Sequence, residues 1–417
     1  MSYESDINKT SEKNSLLRVA PLFLVIAIDS MGIGILFPIL SAMLISHQSH
    51  FLSVDTSDFL RELIYGVTIG IYMIAWFFGS AMLGDISDIM GRKKALMICL
   101  IGATAGYAIS AIAIGFHSII FLIVGRVLAG FTAGSQPIAQ AAIVDVSAPE
   151  NRARNIGYIL LAVSIGFILG PIMGGILSNH DFVSWFNFAT PLYFAGILSL
   201  LNCIVLYFSF SETFTRIKKI KIRVSYAIQI FVEAFQKKSI RILSFVLLVE
   251  TAGWSEYYTF VSQFLLRRFN YSATDVSLFI AVLSVGFSIG FGLLIKPAAK
   301  YFNLKNCVVV NLFISALLFL MTAIVHVQIV IWIGAALIGM SVAVLYSLLI
   351  TLFSNQVSIE EQGWVMGITN SVGALSFGIT ALMSGFAADL SPAVPMYLGF
   401  FGMAAAGFIL LSAKIKN

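Results

Sequence analysis

The sequence predicts an all-α membrane protein with twelve transmembrane helices in two six-helix bundles. Three observations support this fold class. Hydrophobic residues make up 59% of the 417 residues and charged residues only 11%, far too few charges to cover a water-soluble protein of this length. Apolar segments of about 20 residues, long enough to cross a bilayer, recur along the chain. The two halves of the chain also repeat one another.

The apolar segments give the order of the helices. Residues 1–15 lack the apolar core of a signal peptide, so we expect no cleavable signal there. Because these residues are polar, we expect them to form a disordered cytoplasmic tail. The predicted helices are 16–45, 64–84, 94–115, 118–146, 154–178 and 190–210, then 241–266, 274–297, 306–325, 328–355, 363–387 and 393–413. They form an N-terminal bundle at 16–210 and a C-terminal bundle at 241–413, with a linker at 211–240 and a cytoplasmic tail at 414–417.

The distribution of lysine and arginine predicts the orientation. With the N-terminus inside, 21 of the 25 basic residues fall on the inner side of the membrane. Arg61, Arg267 and Arg268 fall outside, and Arg126 lies within a predicted helix. Because inner loops of membrane proteins carry an excess of Lys and Arg, both termini are expected to be cytoplasmic.

The linker between the halves combines a basic run at 216–223 with an amphipathic helix. The apolar face of this helix comprises Ala227, Ile230, Phe231, Ala234 and Phe235. Such a helix can lie on the inner membrane surface, its cations near anionic lipid. The alternative interpretation is a linker helix with no regulatory role.

An internal repeat divides the chain. Residues 150–157 and 360–367 have the same spacing at an offset of 210, and the same offset places Gly175 on Gly385. Tandem six-helix halves predict two bundles related by an axis along the membrane normal, with a binding site between them.

Several function classes are excluded by missing motifs. The sequence has no phosphate-binding loop, no nucleophile elbow and no paired Cys/His cluster, so we expect neither an enzyme nor a cofactor or metal site. His47 and His50 near Asp55 and Asp58 are interpreted as an ordinary loop. The net charge of +5 is spread between apolar segments and predicts no nucleic-acid binding.

Charges inside apolar helices are costly and mark functional sites in membrane proteins. We predict that four such residues handle protons or contact substrate: Asp29, Arg126, Glu250 and Glu256. A carboxylate in a cavity can bind and release a proton as access alternates, and Arg126 can tune a neighbouring acid. Asp29 and Glu250 are candidates for related positions in the two halves. Static structural charge pairs remain the alternative.

Acids beside aromatic residues suit an amphiphilic or cationic ligand. Candidate residues for the substrate cavity are Gln136, Trp254, Tyr257, Phe260, Gln263 and Tyr346. Among 35 phenylalanines, most are expected to contact lipid or the protein core.

A charged loop follows the second predicted helix, with the sequence GDISDIMGRKK at 84–94. A glycine permits a tight turn there, and the acid can pair with a nearby cation. The residues predicted to form an inner gating loop are Gly84, Asp88, Gly91, Arg92 and Lys93.

A stripe of glycines four residues apart predicts close helix packing on the fifth helix. The predicted bend there comprises Gly166, Gly170, Pro171 and Gly174, with the proline removing a backbone donor. A small-residue stripe on the eighth helix, formed by Ser284, Ser288 and Gly292, is the expected partner across the two halves. Generic packing of small residues is the alternative.

The loop at 84–94 resembles motif A of the major facilitator superfamily. Residues 29–38 resemble the first-helix motif of its twelve-span drug/proton antiporters, residues 125–145 resemble motif B, and residues 166–175 resemble motif C. The stretch 125–157 is similar to tetracycline-efflux proteins. All these signatures lie in the first half, and no tetracycline-type match is recognisable in the second.

The resemblance implies a secondary transporter that works by alternating access. We expect proton-coupled efflux of a small amphiphilic organic compound, with protons and membrane lipid as further partners, by a monomer in a bacterial inner membrane. Proton-coupled import or export of a metabolite, such as a siderophore or nutrient, is the alternative. A transporter-like receptor or scaffold is the alternative of another class.

Overall fold

A computed structural model describes residues 2–145, 152–212, 224–358 and 361–414, and within these ranges the chain is helical, without strands. The helices before the linker are α1 (Ser2–Leu44), α2 (Asp58–Met90), α3 (Arg92–Gly115), α4 (Ile119–Thr132), α5 (Ser135–Asp145), α6 (Arg152–Ser178) and α7 (Thr190–Ser209). After the short α8 (Val224–Gln236) come α9 (Arg241–Phe269), α10 (Ala273–Ile289), α11 (Ile295–Tyr301), α12 (Leu304–Ile324), α13 (Gln328–Asn355), α14 (Gln362–Leu390) and α15 (Val394–Ser412).

Eleven helical stretches in the described ranges are long and apolar enough to cross a membrane. Their outer surfaces carry exposed apolar side chains such as Ile120 (73% exposed) and Phe208 (80% exposed). An apolar surface of this kind must be covered by lipid. The chain is therefore a multi-pass membrane protein.

Helix α9 is not among these eleven stretches, although the sequence predicts a spanning helix at 241–266. Its apolar character is interrupted by Glu250, Glu256 and many hydroxyl and amide side chains, most of which are buried. The helix packs against α1, α14 and α15. Its polar groups therefore contact protein and would not face lipid.

Helix α1 begins at Ser2, so the sequence-based expectation of a disordered tail at 1–15 differs from the structure. Residues 2–20 contain neither glycine nor proline, so nothing in the covalent chain interrupts the helix before Pro21. The apolar part that could span a membrane starts at Ala20.

Two predicted helices are interrupted in the structure. The predicted helix 118–146 is divided into α4 and α5 by a turn at residues 133 and 134. Pro137 explains this break, because its ring clashes with the carbonyl of the residue four positions earlier, Ala133. The predicted helix 274–297 passes through a π-helical turn at Gly290–Leu294 before α11. Pro297 accounts for this second irregularity in the same way.

The glycine stripe of α6 packs against α1, which corrects the predicted contact with the eighth helix. A Cβ atom on Gly170 would lie 2.5 Å from the Met31 carbonyl oxygen, and one on Gly174 would lie 2.7 Å from that of Ile35. On α10 the hydroxyls of Ser284 and Ser288 donate to carbonyls of their own helix. Those side chains are therefore occupied within α10, and the close approach is made with α1.

Helices α6 and α10 do meet, at other residues. Phe167 stacks on Phe287 with ring centroids 6.4 Å apart, and the Asn179 side-chain amide donates to the Thr274 hydroxyl at 3.1 Å. This contact joins the first and second halves of the chain.

Helices α2 and α14 form a second contact between the halves, built on glycines. A Cβ atom on Gly66 would lie 2.6 Å from the Ala381 carbonyl oxygen, and one on Gly385 would lie 2.8 Å from that of Glu62. Backbones this close exclude solvent and lipid from the seam. The sequence analysis did not predict this contact.

The predicted amphipathic helix is present as α8, but its apolar face packs on the bundle instead of the membrane surface. Ala227 is fully buried in a cluster with Phe77 of α2 and Ala374 of α14. Lys237, just after α8, donates to Glu361 at the start of α14, and this hydrogen bond, with one from the Ser358 backbone, lowers the pKa of the Glu361 carboxyl. The basic run at 216–223, the repeat residues Glu150 and Glu360 and the tail residues 415–417 lie outside the described residues.

Candidate functional site

Asp29 lies on α1, half-buried within an apolar span. Its carboxylate accepts a hydrogen bond from the Ser135 hydroxyl at the first residue of α5. The break before α5 brings Ser135 to this position. Asp29 has no ion pair with any residue in the described ranges, so a single hydroxyl is its side-chain partner.

Arg126 lies on α4 and is 4% exposed. Its guanidinium carbon lies 4.0 Å from the centroid of the Tyr72 ring on α2, a cation–π contact. Tyr107 of α3 is a near neighbour, and its hydroxyl packs directly on Gly32, where a Cβ atom would lie 1.8 Å away. The structure therefore places Arg126 beside aromatic rings and not in an ion pair with Asp29.

Two buried acids lie on α9 in the second half. Glu250 is 2% exposed and accepts from the Thr251 hydroxyl at 3.1 Å. Glu256 is 7% exposed and accepts from the Ser384 hydroxyl of α14. Like Asp29, both lack an ion pair among the described residues, and each has one hydroxyl partner.

The predicted cavity residues divide into two groups. Tyr257, Phe260 and Gln263 are fully buried in helix packing. Trp254 is half-buried with its ring stacked on Tyr258, Gln136 is half-buried, and Tyr346 is 38% exposed.

A small cavity lies elsewhere, between α1, α2 and α4. Among the predicted site residues, Arg126 lines it, together with Tyr72 and apolar side chains of α1 and α2. The six predicted cavity residues are not part of its wall.

A polar network joins α2 to α9 at their predicted outer ends. Glu62 is fully buried and accepts from the Gln263 side-chain amide at 2.6 Å. The same carboxylate forms an ion pair with Arg267 at 2.8 Å. Nearby, the Tyr65 hydroxyl donates to the Thr259 carbonyl at 2.6 Å. These bonds connect the two halves of the chain through side chains that exclude water.

Arg61, next to Glu62, organises the adjoining loop. It is fully buried and donates to the carbonyls of Leu44, Ser46, Ser53 and Thr56 at 2.8 to 3.4 Å. In the same region His47 pairs with Asp58 at 2.9 Å. Arg61 thus holds the loop between α1 and α2 against the end of the bundle.

The predicted gating loop is the turn between α2 and α3. Arg92 bridges Asp88 at 2.8 Å and Asp145 of α5 at 3.2 Å, and it donates to the Ser87 hydroxyl at 2.7 Å. Lys93 donates to the Tyr207 carbonyl of α7 at 2.7 Å. The loop therefore joins α2, α5 and α7 within the first half.

Glu212 caps the start of α3. Its carboxylate accepts from the backbone N–H groups of Arg92 and Lys93 at 2.9 and 3.2 Å, where the helix dipole favours negative charge. Gly91 has a φ of 96° and would, with a Cβ atom, approach the Glu212 carboxylate to 2.2 Å. Gly84 has open space around its Cα.

The sequence analysis missed several residues of these sites. Ser135 is inconspicuous as a hydroxyl in an apolar segment, although Pro137 signals the break that positions it. Arg267 was assigned to the outer side of the membrane, and Glu62 was not singled out. A glutamate and an arginine facing each other across the two halves become visible only once the helices are packed.

Comparison with known proteins gives one family match over most of the chain. The model of the Major Facilitator Superfamily matches residues 22–381. The class C tetracycline resistance protein of Escherichia coli is 26% identical over 357 residues, which cover 82% of each chain. The quinolone resistance protein NorA of Staphylococcus aureus (strain MSSA476) is 24% identical over 412 residues, covering 93% of this chain and 95% of the relative. The tetracycline-type similarity therefore extends into the second half, contrary to the expectation from sequence motifs.

Solved structures show the same fold. The human organic anion transporter MFSD10 (TETRAN) superposes with a TM-score of 0.71 at 20% identity, covering 95% of this chain and 99% of the other. A D-xylose-proton symporter superposes with a TM-score of 0.74 at 13% identity, covering 95% and 97%.

We predict that Gly91→Ala destabilises the protein whereas Gly84→Ala does not. Gly91 has an extended backbone with positive φ, where a residue with a Cβ atom is strained by about 1–3 kcal/mol, and the added atom also displaces the Glu212 carboxylate from its cap. Thermal unfolding of both variants in one detergent measures the difference. Gly84, which lies near the end of α2 with open space around it, is the control. Equal unfolding temperatures for the two variants would contradict the assigned strain.

Proposed function

Because the chain belongs to the Major Facilitator Superfamily, and is therefore a membrane transporter rather than an enzyme, we propose that it exports a small amphiphilic organic compound in exchange for protons. The observation that carries this proposal is that three acids inside the helical bundle have no ion-pair partner. Asp29, Glu250 and Glu256 each have one hydroxyl partner and no ion pair within the described ranges. A charged carboxylate without a cation is costly in an apolar span, whereas a protonated one is not.

The acids are distributed over both halves. Asp29 belongs to the first half and the two glutamates to the second. A proton bound when the site is open to one side can be released when it opens to the other. In this proposal Arg126 and the three acids carry proton coupling or substrate binding, and no cofactor is required.

The proposed export direction is supported by relatives that confer resistance. The two relatives described above are named for resistance to tetracycline and to quinolones. Both cover more than four-fifths of this chain. We propose an amphiphilic substrate for this chain as well, with Trp254, Tyr346 and Gln136 as the partly exposed residues that contact it. Tyr257, Phe260 and Gln263 would reach it only after α9 moves.

For the architecture we propose twelve spans in two six-helix bundles, with α9 as the twelfth. Within the described residues, α3 packs on helices of the first half and α1 packs mainly on them, with smaller contacts to α9 and α10, whereas α12 and α15 pack on helices of the second. The two halves meet chiefly along α2–α14 and α6–α10. We further propose a monomer in a bacterial inner membrane with both termini cytoplasmic, which the lysine and arginine distribution supports.

Alternating access requires seals on both sides of the membrane that open in turn. We propose that the Glu62–Gln263–Arg267 network is part of the outer seal, and that the structure represents a state closed on that side. The support is the complete burial of Glu62 and the direct contact of α2 with α9. The inner gating loop around Arg92 would contribute to the opposite seal.

We predict that Asp29→Asn abolishes gradient-driven transport. The amide cannot exchange a proton, so uptake of radiolabelled tetracycline into inside-out proteoliposomes with an imposed pH gradient should fall by roughly tenfold or more. Exchange of labelled for unlabelled compound without a gradient should persist. The matched control is Asp55→Asn, at an exposed position of the loop after α1. Gradient-driven uptake that survives in Asp29→Asn would refute the assignment, and uptake in right-side-out vesicles alone would favour the import alternative.

We predict that Glu62→Gln opens the outer side. Losing one charge-assisted contact of about 1.5–3 kcal/mol shifts a two-state equilibrium by roughly tenfold or more. Spin labels are attached to cysteines introduced at the exposed positions Val54 and Leu390, after the native cysteines have been replaced by alanine. Pulsed electron paramagnetic resonance then measures the distance between the labels, which reports the separation of the halves.

Longer label distances are expected for Glu62→Gln and also for Arg267→Gln, since either change breaks the same pair. Asp181→Asn, which removes an exposed acid near the same predicted face, is the control and should leave the distances unchanged. Unchanged distances in both Glu62→Gln and Arg267→Gln would exclude a sealing role for the network.

A further inference from the structure

The cavity between α1, α2 and α4 is lined by apolar side chains, by the Tyr72 ring and by one charged residue. Leu36 and Phe37 of α1 and Ile69 and Met73 of α2 supply apolar surface. Arg126 is the charged residue among those that line it. The cavity therefore combines a hydrophobic body with one cationic pole.

Arg126 lacks a counter-charge in the part of the chain that the structure describes. It forms neither an ion pair nor a hydrogen bond with a described residue, and its Nε atom is buried without a partner. The Tyr72 ring covers one face of the guanidinium at 4.0 Å. A ring face offsets only part of the cost of desolvating a full charge.

Arginine differs from the buried acids in how it can relieve this cost. A carboxylate becomes neutral by binding a proton, but a guanidinium keeps its charge in proteins. An anion is therefore the partner that would neutralise Arg126 inside the bundle.

The acids on the described helices that could pair with Arg126 inside the bundle have other partners. Asp29 is bonded to Ser135, and Glu62 is paired with Arg267. Glu250 and Glu256 are bonded to Thr251 and Ser384 in the second half. None of them forms an ion pair with Arg126.

We propose that this cavity is a subsite for the anionic group of an amphiphilic organic solute. A carboxylate or sulfonate binds the N–H edge of Arg126, which can engage two oxygens at once. In this structure the space beside Arg126 is about the size of one water molecule, so the aromatic or aliphatic body of the solute lies against the α1 and α2 side chains once these helices have moved apart. Tyr72 holds the guanidinium plane in position from its other side. The inference rests on the proposed transport function and names the charge of the solute, which that function leaves open.

The first test needs no variant. Binding of 2-naphthoate and of its uncharged methyl ester to the purified full-length protein in nanodiscs is measured by equilibrium dialysis near neutral pH, with empty nanodiscs as the blank. We expect the carboxylate to bind roughly tenfold more tightly than the ester, which has the same aromatic body. Equal or weaker binding of the carboxylate overturns the proposal.

The second test assigns the preference to Arg126. Arg126→Gln should lower the affinity for 2-naphthoate roughly tenfold and leave that for the ester nearly unchanged, and Arg126→Lys should lie in between. Arg241→Gln makes the same change at an exposed arginine at the start of α9 and should alter neither affinity. A loss of both ligands in Arg126→Gln with retained selectivity in Arg126→Lys still supports the site. Full selectivity in a folded Arg126→Gln protein refutes it.

Failure here is distinguishable from failure of the proposed function. The binding tests use no pH gradient and measure no transport, so their outcome does not depend on whether protons drive the flux. Conversely, loss of gradient-driven flux in Asp29→Asn says nothing about anion selectivity at Arg126.

Discussion

A charge inside a membrane-spanning helix must be paired, neutralised or hydrated, and this constraint explains how the polar residues of the bundle are arranged. Glu62 meets it by pairing with Arg267 across the two halves. Asp29, Glu250 and Glu256 have one hydroxyl each, an arrangement that suits a neutral carboxyl group. Arg126 has an aromatic ring in place of an anion. The Glu62–Arg267 pair joins the two halves in this structure, and the groups with incomplete pairing are those we propose to bind exchangeable partners.

The placement of these groups depends on close backbone contacts elsewhere. Glycines bring α6 onto α1 and α2 onto α14, with carbonyl oxygens where a Cβ atom would otherwise stand. Helix association in lipid depends on such van der Waals contact, because lipid tails are as apolar as the helices themselves. The α2–α14 seam also fixes the register of Glu62 opposite α9. A shift of one residue would rotate the carboxylate away from Gln263 and Arg267.

Hydropathy and motif spacing predicted much of the helical fold but not the partners of its functional groups. The length of each apolar segment predicted the position of nearly every helix, since helix positions in a membrane protein depend largely on local composition. Pro137 and Pro297 predict interruptions near α5 and α11. The residues at which the helices are interrupted depend on packing. The predicted contact of α6 with α10 across the halves is present, but the glycine stripe itself packs on α1, because small residues specify proximity without specifying a partner. Ser135 beside Asp29 and Glu62 opposite Arg267 depend on tertiary contacts that no periodicity encodes.

The composition of α9 has a consequence for how the protein is made. A segment leaves the translocation channel for lipid when its side chains partition favourably into hydrocarbon. Two glutamates and a series of hydroxyl and amide groups count against that transfer for α9 taken alone. Of these groups, Gln263 finds a partner on α2 and Glu256 finds one on α14. As a span, α9 would have to remain near the channel until neighbouring helices shelter its polar face. Among the described helices of the second half, the one that contributes the largest number of buried polar residues would then be the one whose integration depends most on the order of synthesis.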